Sequence, residues 1–313
     1  MKYVFKKLIE MVTFLLILSV VSFIFMKLAP GDPVRVMLKT EDISISEEQL
    51  DAYRTELGFN EPILKQYLEW LSRFLQFDFG ESYITKQPVK EELLSRLPST
   101  ILLASTSLLV MLIVAFPLGV LAALYRNSWV DYISRLLALV GAAIPSFWLG
   151  LIFVQVFAVK LGWFPSMGKG SWQHLVLPSL TLGLAMSSVY MRLIRANLIE
   201  SLNQEFIKAA HARGLKKSKI LFQYAFRHSL APIITLLGMS LSSLLAGTVV
   251  IEVIFSYSGV GKFAIDAIAK RDYPVIQGYI LLMGVLVIFI NLLVDVCYRY
   301  IDPMIRVKEV RKV

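Results

Sequence analysis

Residues 203–228 read NQEFIKAAHARGLKKSKILFQYAFRH, a polar and basic insert in an otherwise apolar chain. Apolar residues recur in it at helical spacing, which predicts two short amphipathic helices separated by Gly214. The first helix would present Phe206, Ile207, Ala209 and Ala210 on one face, and the second Ile220, Leu221, Tyr224 and Ala225. Such an insert has no core of its own, so it is suited to docking in a groove of a partner protein. Its lysines and arginines would also suit an interfacial helix lying on anionic lipid.

The composition predicts a membrane protein. Hydrophobic residues make up 57% of the chain and charged residues 18%, and the mean hydropathy is +0.66, far above an ordinary soluble domain. The net charge of +9 does not indicate nucleic-acid binding, because the basic residues recur between apolar runs, as topology signals do. Cys297 is the single cysteine, so neither an internal disulfide nor a cysteine metal site is expected.

Six apolar runs are long enough to be membrane-spanning helices, which predicts an all-α integral membrane fold. They cover residues 11–28, 100–124, 133–159, 175–191, 231–254 and 275–296. The first run follows three lysines and would also fit a signal peptide, but the runs that follow it favour a retained helix. Two prolines and a glycine between Leu28 and Pro33 end that helix.

One long polar segment, residues 31–97, separates the first two runs. Ser46 begins a capping-box pattern, which predicts a short helix that ends before Gly58. A second helix is predicted from Pro62, with an apolar face formed by Ile63, Tyr67, Trp70, Leu71 and Phe74. The segment would either contact a partner protein or form a solvated cap on its own helices.

The charge distribution predicts the orientation of the chain. With the N-terminus in the cytoplasm, Arg126, Arg135, the cluster from 192 to 227 and the tail from 299 to 312 all lie on the cytoplasmic side. This arrangement follows the positive-inside rule, whereas the opposite orientation would place every short basic loop outside.

Prolines and small residues in the spans predict helix kinks and close helix packing. A proline inside a spanning helix frees a backbone carbonyl, which neighbouring helices or a water-lined cavity must satisfy, and small residues let a second helix approach closely. Candidate pathway or gating residues are Pro145, Ser146, Phe147, Trp148, Ser240, Ser243 and Gly247. Plain helix packing is the alternative explanation for Pro145.

No catalytic motif is found in the sequence. Gly259-Val-Gly-Lys262 lacks the upstream glycine and the following Ser or Thr of a phosphate-binding loop. His174, His211 and His228 are too scattered to form a local metal motif, so no metal site is predicted. The chain is therefore not expected to be an enzyme by itself.

Several motifs, in order along nearly the whole chain, resemble one family. They are Phe77-Asp-Phe-Gly-Glu-Ser82, Pro145-Ser-Phe-Trp-Leu-Gly150, Glu205-Phe-Ile-Lys-Ala-Ala-His-Ala-Arg-Gly-Leu215 followed by Pro232, and Phe255-Ser-Tyr-Ser-Gly-Val-Gly261. The chain thus resembles permease subunits of binding-protein-dependent ABC importers, of the oligopeptide, dipeptide and nickel branch. The wider superfamily has an acidic residue directly before the Ala-Ala pair, where this chain has Lys208, with Glu205 three residues earlier.

The resemblance implies a type I ABC importer permease fold of six transmembrane helices with a cytoplasmic coupling-helix loop, in a bacterial cell membrane. It implies that the loop docks on an ATPase through Glu205, Phe206, Lys208, Ala209, Ala210, Ala212, Arg213, Gly214, Leu215 and Pro232. The implied partners are a sister permease, an extracytoplasmic substrate-binding protein and two ATPase subunits, which would bind the ATP and Mg²⁺ while this chain holds no cofactor.

The resemblance also implies a division of the chain into an N-terminal helix (1–30), an extracytoplasmic segment (31–97), a five-helix core (98–302) with a coupling loop (203–228), and a basic tail (303–313). The predicted function is to form half of a translocation pathway for peptides, with nickel or a metal–metallophore complex as the alternative cargo.

Two other function classes are rivals. A secondary transporter would need ionisable residues deep in its helices, whereas Glu252 and Asp295 are near helix ends. A purely structural membrane subunit would need neither kinked helices nor a docking loop.

Overall fold

The computed structural model describes residues 2–28, 34–35, 46–56 and 58–301. The predicted helix stop at 29–33 and the basic tail at 303–313 lie outside the described residues, as do the side chains of Pro232 and Asp295.

The described residues form helices joined mostly by short turns. In chain order the helices are α1 (Lys2–Leu28), α2 (Glu47–Glu56), α3 (Ile63–Leu75), α4 (Val89–Leu124), α5 (Trp129–Ala143), α6 (Ser146–Phe153), α7 (Gln173–Leu202), α8 (Glu205–Ala212), α9 (Lys217–Lys219), α10 (Phe226–Ile254), α11 (Val260–Ala269) and α12 (Tyr273–Ile301). Two π-helical stretches, Val154–Lys160 and Ile220–Ala225, extend α6 and join α9 to α10.

The chain divides into two compact units. The first unit contains Met1–Pro98 and Gly259–Phe289, and the second contains Ser99–Ser258 and Ile290–Val313. The core of the first unit is built from α4, α11 and α12, through the buried side chains of Val89, Leu93, Val260, Ala267 and Val275. Helix α11 was not predicted from the sequence.

A polar contact in the first unit joins the loop before α4 to the turn before α12. The Asp272 carboxylate accepts hydrogen bonds from the Ser82 hydroxyl (2.5 Å) and from the Tyr83 backbone N–H (3.1 Å). Ser82 Oγ also accepts the backbone N–H groups of Ile84 and Thr85. Burial of the Tyr83 ring, with the Asp272 charge and Tyr273 as smaller causes, raises the pKa of Tyr83 to about 12.

The two helices predicted in the segment 31–97 are both present. Ser46 Oγ accepts the backbone N–H of Gln49 at 3.3 Å, as a capping residue of α2 does. Gly58 has a φ of 73°, the left-handed conformation that commonly follows a helix. The aromatic residues predicted for one face of α3 lie together, which is described further below.

In the second unit, two buried clusters lie along the apolar helices. One contains Leu103 from α4 and Leu177 and Leu182 from α7, and the other contains Met111 and Tyr190. At Gly183 the backbones of α7 and α4 approach so closely that a Cβ there would lie 2.7 Å from the carbonyl oxygen of Ser107. Only glycine fits this crossing without a shift of the helices.

The third apolar run is not one continuous helix, which corrects the prediction of a single kinked span over 133–159. Helices α5 and α6 with its π-helical extension meet at Ile144 and Pro145 with a bend of 97°. Proline has no N–H to donate and its ring disfavours a helical residue before it, so the helix ends at Ala143 and restarts at Ser146.

The predicted count of six spans is not fully reproduced. Among the described residues, four helices are long and apolar enough to cross a membrane, and the bent pair α5–α6 would give a fifth. Helix α10 has 29 residues, but its apolar stretch with described side chains, Ser243–Ile254, is shorter than a span. Helix α4 continues through Pro117 without a break.

Candidate functional site

The insert between α7 and α10 is anchored by α8 and the π-helical stretch that leads into α10. Ile207 and Ala210 of α8 are buried in one cluster with Leu198 of α7 and with Ile220 and Ala225 of that stretch. The Ser201 hydroxyl donates to the Ala225 carbonyl at 2.7 Å. The insert is thus packed onto the end of α7 instead of extending freely from it.

Helix α8 ends in a left-handed glycine, as predicted. Gly214 has a φ of 73°, which a residue with a Cβ adopts only at a cost of ~1–2 kcal/mol. The backbone N–H of Leu215 donates to the Ala210 carbonyl at 3.3 Å, and that of Gly214 donates to the His211 carbonyl at 2.9 Å. This turn directs the chain back over α8 and packs Leu215 against the buried cluster.

The opposite side of α8 is exposed, which partly corrects the predicted apolar face. Phe206 is 38% exposed and Ala209 is also exposed, because a helix of two turns can bury only one edge against its neighbours. Exposed Ala212 and Arg213 continue this surface. Glu205 and Lys208, the two candidates for pairing with an ATPase, bond to each other at 2.7 Å and are mostly exposed. These residues form an outward surface, called here the α8 face.

A groove of about 550 Å³ lies beside the α8 face. It is lined by Leu124, Leu202, His211, Lys217, Ser218, Ile220, Leu221 and Phe222. Its walls are mostly apolar, with a lysine and a histidine at the edge, which suits an aromatic or aliphatic side chain of another protein.

A buried ion pair near this insert was not predicted from the sequence. The fully buried Asp131 carboxylate of α5 accepts two hydrogen bonds from the Arg195 guanidinium of α7, Nε to Oδ1 at 2.6 Å and Nη2 to Oδ2 at 2.8 Å. The Asn127 backbone N–H donates to Oδ2 at 3.0 Å. The pair joins the first turn of α5 to the last turns of α7, from which the chain continues into α8.

The sequence does contain a weak signal for this pair. Asp131 is the single acidic residue between Arg126 and Arg135, and an acidic residue among arginines at a helix start is a candidate for pairing. Arg195 had been assigned only a topological role. A second carboxylate, Glu252, is near the end of α10 as expected but is fully buried, and it accepts a hydrogen bond from the Thr100 hydroxyl at 2.6 Å.

The candidate pathway residues are on two helices that pack together. Phe147 and Trp148 of α6 are about half exposed, and Ser243 of α10 donates to the Ser240 carbonyl at 2.9 Å. The close contact to the end of α10 is made by Gly150, where a Cβ would lie 3.3 Å from the Phe255 ring. A Cβ at Gly247 would lie 3.3 Å from Leu182. Within the described part of the chain, no group of His, Cys, Asp and Glu side chains could hold a metal ion.

The helical architecture is similar to that of solved ABC transporters. The MetNI methionine ABC transporter, in an inward-facing crystal form, matches with a TM-score of 0.57 at 19% identity, over 67% of this chain and 96% of that chain. An amino acid ABC transporter matches with a TM-score of 0.54 at 15% identity, over 67% of this chain and 94% of that chain. These likenesses define the fold, an ABC importer permease of type I.

The family follows from the sequence comparisons. Residues 115–307 match the family described as binding-protein-dependent transport system inner membrane component, and residues 1–104 match its N-terminal companion. The glutathione transport system permease protein GsiC of Escherichia coli K12 is 38% identical over 308 residues, which are 98% of this chain and 100% of the relative. GsiC of Salmonella typhi is 37% identical over the same shares.

The chain therefore belongs to the binding-protein-dependent transport system inner membrane components. It is a multi-pass inner-membrane permease subunit of an ABC importer, in the peptide-type branch.

Proposed function

We propose that this permease forms half of a translocation pathway for peptides that an extracytoplasmic binding protein delivers. A sister permease would form the other half, and two ATPase subunits would bind and hydrolyse Mg²⁺–ATP. Both termini would be cytoplasmic, as the distribution of basic residues indicates. The core over 98–302 would move when the ATPases act on the insert at 203–228.

The α8 face is the observation that carries this proposal. On the other side of α8, the buried residues Ile207 and Ala210 pack with α7 and with the π-helical stretch that continues into α10, while Phe206, Ala209 and Arg213 remain outside. A force applied to the exposed side would therefore reach two long helices through packed contacts instead of a flexible loop. Such rigid transmission is what alternating access between two packed states requires.

A peptide cargo is supported over nickel by the relatives. The GsiC proteins are named as glutathione permeases, and glutathione is a small peptide. Uptake of labelled peptides and of labelled nickel in a strain lacking this subunit would separate the two cargoes. Loss of peptide uptake alone is expected, and loss of nickel uptake alone would overturn the assignment.

The coupling role is tested by placing one large charge on the α8 face. Ala209→Arg should leave the permease folded, since Ala209 is exposed, but should weaken co-purification of the ATPase by at least about tenfold, as loss of a central interface contact does. Ala52→Arg on α2 is the matched control, because Ala52 is also exposed and would lie on the other side of the membrane. If Ala209→Arg retained both the ATPase and transport, the coupling assignment would be wrong.

A further inference from the structure

Helix α3 carries an apolar surface that its neighbours do not cover. Leu64, Leu68, Leu71 and Leu75 follow at spacings of four, three and four residues, which aligns them along one stripe of the helix. Leu64 is 69% exposed, Leu68 54% and Leu75 70%, and Leu71 is half-buried. We call these four residues the leucine stripe.

The neighbouring side of α3 is aromatic and packs on α1. The rings of Tyr67 and Trp70 lie 5.5 and 5.9 Å from that of Phe23. The series continues through Phe74, stacked at 5.9 Å on Trp70, to Phe79 at 4.9 Å. The apolar arc of α3 is therefore wider than the face that α1 covers, and the leucine stripe is its uncovered part.

The contacts with α1 define how deep α3 lies in the membrane. The Tyr67 hydroxyl and Ser19 Oγ are hydrogen-bonded at 2.8 Å. Ser19 lies close to the middle of the span Ile9–Leu28. At a rise of ~1.5 Å per residue, it is about 13 Å along the helix from Leu28. Nearer the end of that span, Lys27 Nζ donates to Gln66 Oε1 and lies 5.2 Å from the Phe59 ring. Helix α3 thus lies alongside the C-terminal half of a membrane-spanning helix.

Charge on α3 is separated from the leucine stripe. Lys65 and Glu69 are exposed on a flank of α3 that is about 100° round the helix from the stripe, with their charged atoms 3.9 Å apart, and the exposed Ser72 lies between this flank and the stripe. The exposed apolar surface of α1 at the same depth includes Ile24 and Phe25. In a bilayer the stripe and this exposed part of α1 would both suit acyl chains, while the charged side suits water and headgroups.

We propose that α3 is an interfacial helix whose leucine stripe is inserted among the acyl chains of one leaflet, the leaflet that surrounds the C-terminal half of α1. On the proposed orientation this is the outer leaflet. The ligand of the stripe is lipid hydrocarbon, and the helix fixes the first part of the segment 31–97 to the bilayer. The inference does not depend on ATPase docking at the α8 face.

The test is collision accessibility of spin labels in the assembled importer, reconstituted in nanodiscs of phosphatidylethanolamine and phosphatidylglycerol. Labels are placed by Leu64→Cys, Leu68→Cys and Leu75→Cys in a Cys297→Ser background, with Glu69→Cys as the control on the charged side, since Glu69 is exposed. Oxygen concentrates in hydrocarbon, whereas a polar nickel chelate is excluded from it. The ratio of oxygen to nickel accessibility should be about tenfold higher on the stripe than at Glu69.

Two other outcomes would overturn the proposal. Nickel accessibility at Leu68 equal to that at Glu69 would mean that the stripe faces water. Labels that are immobile and shielded from both reagents would mean that a protein, such as the binding protein or the sister permease, covers the stripe. Comparing the complex with and without the binding protein separates these two protein occupants.

Discussion

Breaking the buried ion pair between Asp131 and Arg195 by removing one partner should destabilise the protein more than breaking any other ion pair described here. Asp131→Asn preserves the shape of the side chain but removes the charge that accepts both guanidinium hydrogen bonds, at 2.6 and 2.8 Å. Breaking a buried pair by removing one partner costs ~3–5 kcal/mol. Because the Arg195 side chain is 21% exposed and can regain some water, we expect the lower end, about 3 kcal/mol.

The assay is thermal unfolding of the purified permease in nanodiscs, followed by tryptophan fluorescence. A loss of about 3 kcal/mol should lower the Tm by roughly 5–10 °C. Arg135→Gln is the matched control, because Arg135 approaches the same carboxylate only at 3.5 Å and is 45% exposed. A pair of that kind contributes about 0–1 kcal/mol, so the control should remain within about 2 °C of the wild type.

A double-mutant cycle separates the pair from the individual residues. Arg195→Gln alone should also be strongly destabilising, since it leaves the Asp131 carboxylate buried with only its weaker partners. The double variant Asp131→Asn, Arg195→Gln should cost clearly less than the sum of the two single changes. Equal Tm values for Asp131→Asn and Arg135→Gln, or strictly additive single effects, would refute the reasoning.

Three further outcomes are expected from thermal or pH-dependent unfolding. Ser82→Ala removes the 2.5 Å hydrogen bond to Asp272 and should lower the free energy of unfolding by ~1.5–3 kcal/mol. Ser95→Ala, on the exposed side of α4, should be nearly neutral, and equal effects of the two changes would contradict the importance of the Asp272 contact. Gly183→Ala should cost ~1–3 kcal/mol by overpacking, whereas Gly170→Ala, whose Cβ would approach only the His174 ring at 3.5 Å, should be tolerated. Since the pKa of Tyr83 is raised to about 12 from a reference of ~10, the unfolding free energy should fall as pH rises between these values; Tyr83→Phe should remove that fall, and a fall that persists in this variant would contradict its assignment to Tyr83.

Several features could be predicted from the sequence because they depend on residues close together in the chain. The apolar runs locate α1, α4, α7 and α12, since a helix needs only its own backbone to satisfy its hydrogen bonds in a membrane. The capping pattern at Ser46 predicts α2, and Gly214 predicts the end of α8. The motif around Ala209 and Ala210 also places the candidate docking insert correctly between two apolar helices.

The face of a short helix that becomes buried was harder to predict. Periodicity identifies apolar residues on α8 but does not say which of them meet a neighbour, so Phe206 was assigned to the same face as Ile207. Pro145 predicts an interruption of the helix but not the size of the bend. The bend of 97° between α5 and α6 depends on how α6 packs on α10, where Gly150 allows close contact with Phe255.

What the sequence determined by itself is the set of elements that local physics specifies: apolar helices, their caps, and the turn at Gly214. Only the tertiary structure decided that Asp131 meets Arg195 and that Asp272 meets Ser82, since each pair joins residues far apart in the chain. It also decided that one stripe of α3 stays uncovered while the next packs on α1. The physical reason is that periodicity records which residues share a side of a helix, whereas burial depends on which other helix arrives there.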